Sequence, residues 1–208
     1  ALVSSFDRNG YAAFGLNRSV PADASGTTLA TDLTDAAETE RRVRDLVHTH
    51  GAPKLVVHNT AKLVISDFES TTNAEFEATW HSMVVSAVNL ARAVLPGMVE
   101  TGGGTFIVSG ATASLRGGKN FSAFASAKAG LRALTQSLAR EYSPKGVHVA
   151  HVILDGILDT EASRSRHDMD QSRMMKLEDV AQAYLSLANQ PKSTWTFETD
   201  LRPMGEAF

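Results

Sequence analysis

Residues 104–160 read GTFIVSGATASLRGGKNFSAFASAKAGLRALTQSLAREYSPKGVHVAHVILDGILDT, and this stretch decides the fold. Its first part, 105–109, is short, apolar and β-branched, which is typical of a buried parallel strand. Residues 121–142 then carry apolar side chains at helical spacing, and Gly146 follows the end of that helix. The apolar run 147–154 predicts a second strand. The stretch therefore predicts a strand, a long helix and a further strand.

The flanking sequence continues this alternation of strands and helices. Alternation of this kind predicts a parallel sheet with helices on both faces, here a Rossmann-like, doubly wound α/β/α domain. No linker rich in Pro, Gly or Ser divides the chain, so residues 1–208 are expected to form a single domain. The predicted strands are 11–16, 27–30, 55–58 and 195–201, the predicted helices are 38–50, 73–98 and 177–189, and 161–176 is predicted as a surface loop or lid.

Composition narrows the classes of function. A chain of 208 residues with 43% hydrophobic and 21% charged residues is ordinary for a globular domain. The net charge of −3 favours neither nucleic acid nor an anionic membrane as a partner. No apolar run approaches the length of a membrane span, and no secretory signal opens the chain. The absence of Cys and of metal-like His spacing predicts no metal, and a cytoplasmic location is expected.

The segment FASAK places Phe124 and Lys128 four residues apart, on one face of the predicted helix. Together with the hydroxyl-rich turn before it and DGILDT after the next strand, it resembles the short-chain dehydrogenase/reductase family. That family carries a Tyr-x-x-x-Lys pair here, a Ser before it, and an Asn on the preceding helix. In this chain Phe124 stands at the Tyr position, Ala111 at the Ser position and Met83 at the Asn position. Only Lys128 is retained.

The resemblance implies a role for Lys128 toward a nicotinamide cofactor. In the family this Lys lowers the pKa of the Tyr and bonds the nicotinamide ribose, while the Tyr exchanges a proton with the substrate oxygen. Phe124 and Ala111 have no hydroxyl for that step, so proton delivery by water or by a nearby hydroxyl such as that of Thr112 is expected. Two structural alternatives stay open: Lys128 as a solvated helix lysine, and Thr112 as a turn-capping residue.

Residues after the earlier predicted strands resemble the adenosine side of the family's cofactor site. Arg18 favours NADP over NAD, because an Arg there accepts the ribose 2′-phosphate, although a surface arginine is an equal alternative. Asp32 and Leu33 resemble the pair that contacts adenine; the alternative for Asp32 is helix capping, with Asp35 as competitor. The remaining residues of this set are Asn59 and Ala61, which resemble the family's Asn-Ala-Gly segment.

The segment that follows residue 154 resembles the family's nicotinamide-binding loop. Asp155 and Gly156 stand where the family has Pro and Gly. Gly156 and Ile157 would bind the nicotinamide amide through their backbone, and Thr160 would lie near the pyrophosphate.

The start of the chain allows two interpretations. In one, residues 1–3 form the first strand and 4–10 a degenerate phosphate loop. In the other, which we favour, residues 1–8 are the tail of the first helix, and Asn9 and Gly10 form the turn that ends it. The family's first strand and glycine-rich loop are then expected upstream of this sequence or outside the structure.

The sequence thus predicts an NADP-dependent oxidoreductase, acting on a small carbonyl or alcohol, with an atypical active site. The alternative is a catalytically silent NADP-binding or scaffold module that retains the fold. By family analogy the helices 73–98 and 121–142 would form the interface of a homodimer or homotetramer.

Overall fold

The computed structural model describes residues 2–20 and 27–206; Ala1, which belongs to the predicted first helix, lies outside them. The described strands are β1 (Gly15–Asn17), β2 (Thr28–Ala30), β3 (Leu55–His58), β4 (Gly104–Ser109), β5 (Val147–Leu154) and β6 (Glu198–Leu201). The described α-helices are α1 (Leu2–Arg8), α2 (Ala36–His50), α3 (Asn73–Trp80), α4 (Ser86–Glu100), α5 (Ser122–Tyr142), α6 (Glu161–Arg166) and α7 (Leu177–Ala188).

The strands form two parallel sheets. β3, β4, β5 and β6 lie side by side in that order, and β1 pairs with β2 separately. β4 and β5 are buried along almost their whole length, as apolar strands covered on both faces should be. β1, β2 and most of β3 are only half-buried. The predicted α/β architecture with parallel strands is confirmed.

Side-chain alternation along β4 separates two apolar cores. Phe106 and Val108 pack on one face with Leu131 of α5 and with residues of α2 and α4. Ile107 packs on the other face with Tyr184 of α7 and with residues of α1. The result is three layers, helices over sheet over helices, which the sequence predicts from the alternation of strands and helices along the chain.

The favoured interpretation of the start of the chain is confirmed for its described residues. α1 is a helix, and Gly10 after it adopts φ +85°, a left-handed conformation that suits glycine. β1 begins at Gly15, later than predicted. The reason is that the Tyr11 amide donates to the Phe6 carbonyl and the Ala13 amide to the Asp7 carboxylate, so these donors serve the loop and not a strand.

Two further boundaries differ from the prediction. The last strand begins at Glu198 and not at residue 195, since Trp195 stacks flat on His148 with ring centroids 5.0 Å apart. The segment predicted as a loop or lid contains the short helix α6 and a 3₁₀ turn at Gln171–Arg173. Both were missed because neither has a strong hydrophobic period.

The long helix at 73–100 consists of α3, a π-helical turn at His81–Val85, and α4. By length and composition alone it could span a membrane, contrary to the expectation from the sequence. Its most apolar window is 61% buried inside the fold, and core helices of soluble proteins pass the same test.

Candidate functional site

A cleft of about 370 Å³ opens where β1, β2 and β3 end. Ligands of open α/β sheets bind at the carboxyl ends of the strands, and this volume lies within the usual range for a ligand pocket. All five residues predicted for the adenosine side line it, although they come from three separate segments of the chain. They are Arg18, Asp32, Leu33, Asn59 and Ala61.

Hydrogen bonds beside the cleft show which of two acidic residues caps α2. The Asp35 carboxylate accepts the Glu38 amide and is the N-cap. Asp32 instead accepts hydrogen bonds from the backbone and the hydroxyl of Thr34, and these bonds lower the pKa of Asp32 below its ordinary value. The capping alternative for Asp32 is therefore wrong, and a charged carboxylate lies at the cleft wall near the exposed side chain of Arg18.

Lys128 is buried at the carboxyl end of β4. Its side chain is 3% exposed, and its Nζ donates to the Ser109 carbonyl at 2.8 Å. In the part of the chain that the structure describes, no carboxylate lies within ion-pair distance of this ammonium group. Burial lowers the pKa of Lys128 to about 8. The solvated-lysine alternative is therefore wrong, since this side chain points toward the sheet edge.

The positions that resemble the family's catalytic Asn, Ser and Tyr are apolar in space as well as in sequence. Met83 is fully buried in the core beneath α4 and α5. The Phe124 ring packs partly against the same core, edge-on to Phe121, with its centroid 5.8 Å from the Lys128 Nζ. Ala111 offers its backbone amide, which donates to the Ser114 hydroxyl.

Thr112, predicted as a replacement hydroxyl, donates its proton to the Asp155 carboxylate. Asp155 is buried, and its second oxygen pairs with Arg202 at 2.7 Å. Because its proton is committed to Asp155, Thr112 presents an acceptor rather than a donor to a ligand. This contact joins the turn after β4 to the loop after β5 and to the C-terminal segment.

The loop after β5 is held from several sides. A Cβ on Gly156 would lie 2.6 Å from Pro203, so the close packing there requires glycine. The Ile157 carbonyl accepts the Met175 amide. Thr160 is the N-cap of α6, where its hydroxyl accepts the Ser163 amide at 3.0 Å. Gly156, Ile157 and Thr160 therefore follow one another along a loop that packing and hydrogen bonds hold in place.

A second, small cavity of about 30 Å³ lies between this loop and α7. Leu154 and Leu158 line it from the loop, and Tyr184 from α7. Asn59 lines both this cavity and the large cleft, so the adenosine-side residues and the β5 loop share one continuous edge.

Two buried histidines were missed by the analysis of the sequence. His58 ends β3 and His151 lies on β5, and both are paired in register with Val108 of β4. Paired residues share a face of the sheet, so the three form a row on the face covered by α5. Burial, and then the Lys128 charge, lower the pKa of His58 to about 3. Burial also lowers the pKa of His151 to about 4.

The π-helical turn contributes a carbonyl group to this region. The Ser86 amide donates to the His81 carbonyl, which leaves the Ser82 carbonyl available to side chains. It accepts the hydroxyls of Thr60 and Ser86, at 2.5 and 2.6 Å. The His58 Nε2 lies 2.8 Å from the Ser86 hydroxyl and 3.0 Å from that of Thr60.

Among the described residues no group of three or more His, Asp or Glu side chains is arranged to hold a metal ion.

Comparisons with known proteins by family model, by sequence and by solved structure agree with one another. A family model described as enoyl-(acyl carrier protein) reductase matches residues 7–199. An uncharacterised oxidoreductase of Staphylococcus aureus is 24% identical over 183 residues, which are 88% of this chain and 78% of that protein. A short-chain dehydrogenase from Rhodopseudomonas palustris is 31% identical, with a TM-score of 0.80 over 97% of this chain and 91% of that one.

One further solved structure shares this fold. It is the NADPH-bound structure of a short-chain oxidoreductase from Pseudomonas aeruginosa with an atypical catalytic centre. It is 22% identical, with a TM-score of 0.76, and covers 84% of this chain and 74% of that one. At this identity the likeness concerns the fold.

Proposed function

The chain belongs to the short-chain dehydrogenase/reductase family of oxidoreductases, and from this premise we propose that it is an NADP-dependent oxidoreductase of a small carbonyl or alcohol. One observation carries the proposal. Arg18, Asp32 and Asn59 converge on a single cleft, and the ammonium of Lys128, which no described carboxylate neutralises, is buried at the same sheet edge. A cleft with hydrogen-bonding walls and a buried cation suits a polyhydroxylated, phosphorylated ligand.

The residues present fit a nicotinamide dinucleotide. Arg18 would pair with a 2′-phosphate, Asp32 and Asn59 would bond the adenosine, and Lys128 would donate to the hydroxyls of the second ribose. The loop of Gly156 and Ile157 would hold the amide end. When bound, the cofactor supplies or accepts a hydride. The NADPH-bound relative with an atypical catalytic centre supports the idea that this cofactor accompanies unusual catalytic residues.

NADPH fluorescence titration of the full chain, followed by a panel of aldehydes, α-diketones and β-keto esters, tests the proposal. We expect saturable NADPH binding, weaker NADH binding and turnover of at least one carbonyl class. Absence of dinucleotide binding would contradict the function in both forms.

The second candidate function is a catalytically silent NADP-binding or scaffold module. It is favoured by the absence of hydroxyl groups at Ala111 and Phe124 and of an amide at Met83. Tight NADPH binding with no turnover on the whole panel, including the reverse reaction with alcohols, would select this candidate.

We also propose a homodimer or homotetramer. Ala129 and Ala133 are exposed on α5, where small side chains permit a second helix to approach closely. Sedimentation of the wild-type chain and of Ala129→Arg tests this: we expect an oligomer that the variant disperses. A monomeric wild-type chain would contradict it.

A further inference from the structure

His58 and His151 lie in a row with Val108 between them. Their imidazole groups, which can carry protons, therefore flank the end of β4. Val108 directly precedes Ser109, whose carbonyl holds the Lys128 ammonium. Neighbouring strands lie about 4.8 Å apart, so the two histidines flank this point across roughly 10 Å. All three ionisable side chains are at most 3% exposed. The sheet therefore brings one buried cation between two buried imidazoles.

Hydrogen bonding fixes the tautomer of His58. The hydroxyl protons of Thr60 and Ser86 both go to the Ser82 carbonyl. Neither hydroxyl then has a proton left for the imidazole, so Nε2 of His58 must be the donor. We therefore assign the proton to Nε2, which leaves Nδ1 as an acceptor that is buried without a partner among the described residues.

Nδ1 of His58 is a buried acceptor without a donor among the described residues, and the Lys128 ammonium has donors to spare, so the two groups complement one another. Lys128 has three donors, and Ser109 accepts one of them. Burial, and after it the charge of Lys128, lower the pKa of His58. A water molecule or a ligand hydroxyl with partners on both sides would satisfy both groups.

The other side of His58 leads to the cleft. Thr60, Ser82 and Ser86 all line the large cleft, and two of them contact the Nε2 atom. His58 is thus connected to the cleft by hydroxyls at Nε2, while Nδ1 is buried without a partner among the described residues and the ring lies within reach of the Lys128 charge. His151 differs, since its Nε2 contacts Ser114 at 3.3 Å, and Arg132 and Glu198 lie near it.

We propose that Lys128 is the group that exchanges the reaction's proton with the substrate oxygen, and that His58 is the positioning and relay residue connecting Lys128 with the cleft. This inference rests on the proposed oxidoreductase function. In the direction of oxidation, the neutral amine of Lys128 takes the proton of the alcohol whose carbon gives up a hydride, and becomes an ammonium. That ammonium passes a proton to the bare Nδ1 of His58, while Nε2 releases its proton to Ser86 or Thr60, which pass one on to water in the cleft. Reduction of a carbonyl runs the same transfers backward, from the Nδ1–H form of His58 that oxidation leaves.

The substitution His58→Asn tests the relay. Asparagine keeps a hydrogen bond to the hydroxyls but cannot take a proton on one atom and release it from another. We expect the rate constant for alcohol oxidation to fall about 10- to 100-fold, within the range of acid–base catalysis. NADPH affinity should stay within about twofold, since a relay is not a binding group. In His58→Ala, added imidazole should restore part of the lost rate, which a purely structural role would not allow.

His148→Asn is the matched control. His148 is also a buried β5 histidine, but it stacks on Trp195 and bonds the Thr196 carbonyl, away from Lys128. It should keep the wild-type rate. If His58→Asn keeps its rate, or if imidazole fails to restore the alanine variant, the relay is wrong while the oxidoreductase function stands.

Nitrogen-15 NMR of the histidines gives a readout independent of activity. We expect His58 as the Nε2–H tautomer, and its pKa should rise in Lys128→Met but stay well below 6.5, because the neighbouring charge is removed while burial, the larger cause, remains. An Nδ1–H tautomer, or a His58 titration that is unchanged in Lys128→Met, would overturn the relay. A chain that binds NADPH but reduces no carbonyl overturns the relay together with the enzymatic function.

Discussion

The two halves of the sheet's carboxyl edge differ in what they retain. The half formed by Arg18, Asp32 and Asn59 is polar and open, and the three residues line one cleft. The half around Ala111 and Phe124 is apolar at the positions where hydroxyls are expected, yet a cation is buried there. In the proposed function, the adenosine end of the dinucleotide binds at the first half, whereas proton transfer takes place at the second. The difference indicates that the chemistry of this chain, if it persists, runs through groups outside the family's hydroxyl set.

Lys128→Met should produce the largest effect. It removes the only ionisable group predicted at the family's catalytic positions, so turnover is expected to fall by about 10²–10⁴-fold. Stability should be retained or improved, because an isolated buried charge is costly. Urea unfolding beside steady-state kinetics measures both. A variant with unchanged turnover would show that the apolar half has no part in catalysis.

Low pH should destabilise the fold, because the two buried histidines His58 and His151 beside Lys128 are neutral when the chain is folded. The folded pKa of His58, about 3, and that of His151, about 4, lie below the ordinary 6.5. The unfolded chain therefore binds more protons, and stability that is full above pH 6.5 is lost as pH falls toward 4 and then 3. Each pKa unit corresponds to about 1.4 kcal/mol, so a loss of several kcal/mol is expected. Urea melts from pH 7 to 4 should show a shallower loss in His58→Asn; an equally steep loss would argue against the buried row.

Arg18→Ala tests the polar half. Loss of a charge-assisted bond to the 2′-phosphate should weaken NADPH binding by about 10- to 100-fold and leave NADH binding unchanged. Arg41→Ala, an exposed arginine on α2, is the charge-matched control and should bind NADPH normally. Equal losses for the two variants, or for both cofactors, would contradict the assignment of Arg18.

Phe124→Tyr should have the smallest effect on turnover. It tests whether Lys128 already exchanges the proton without a phenol beside it. If Lys128 already exchanges the proton, a phenol beside it adds less than about 10-fold to the turnover rate. It should, however, recover most of the activity lost in His58→Asn, since it offers another route for the proton. Phe121→Tyr, the edge-on neighbour, is the control and should do neither. A much larger gain in the wild-type background would mean that proton transfer is otherwise almost absent.

Local pattern was enough for much of the fold. The strands at 55–58 and 147–154 and the placement of Phe124 and Lys128 on one helix face follow from spacing alone, because strand and helix periods are properties of neighbouring residues. The choice between Asp32 and Asp35 as helix cap did not follow, since both types suit a cap and only the backbone path decides which carboxylate reaches the amide.

By itself the sequence determined the order of strands and helices, the family frame, the lysine at its centre and the missing hydroxyls. Tertiary structure decided that this lysine is buried, that the Thr112 proton belongs to Asp155, and that His58 and His151 flank the same strand end. Residues 58, 108 and 151 meet through strand register, and a π-helical turn frees the Ser82 carbonyl. Register and helix defects are set by packing between distant segments, so no local period of the sequence encodes them.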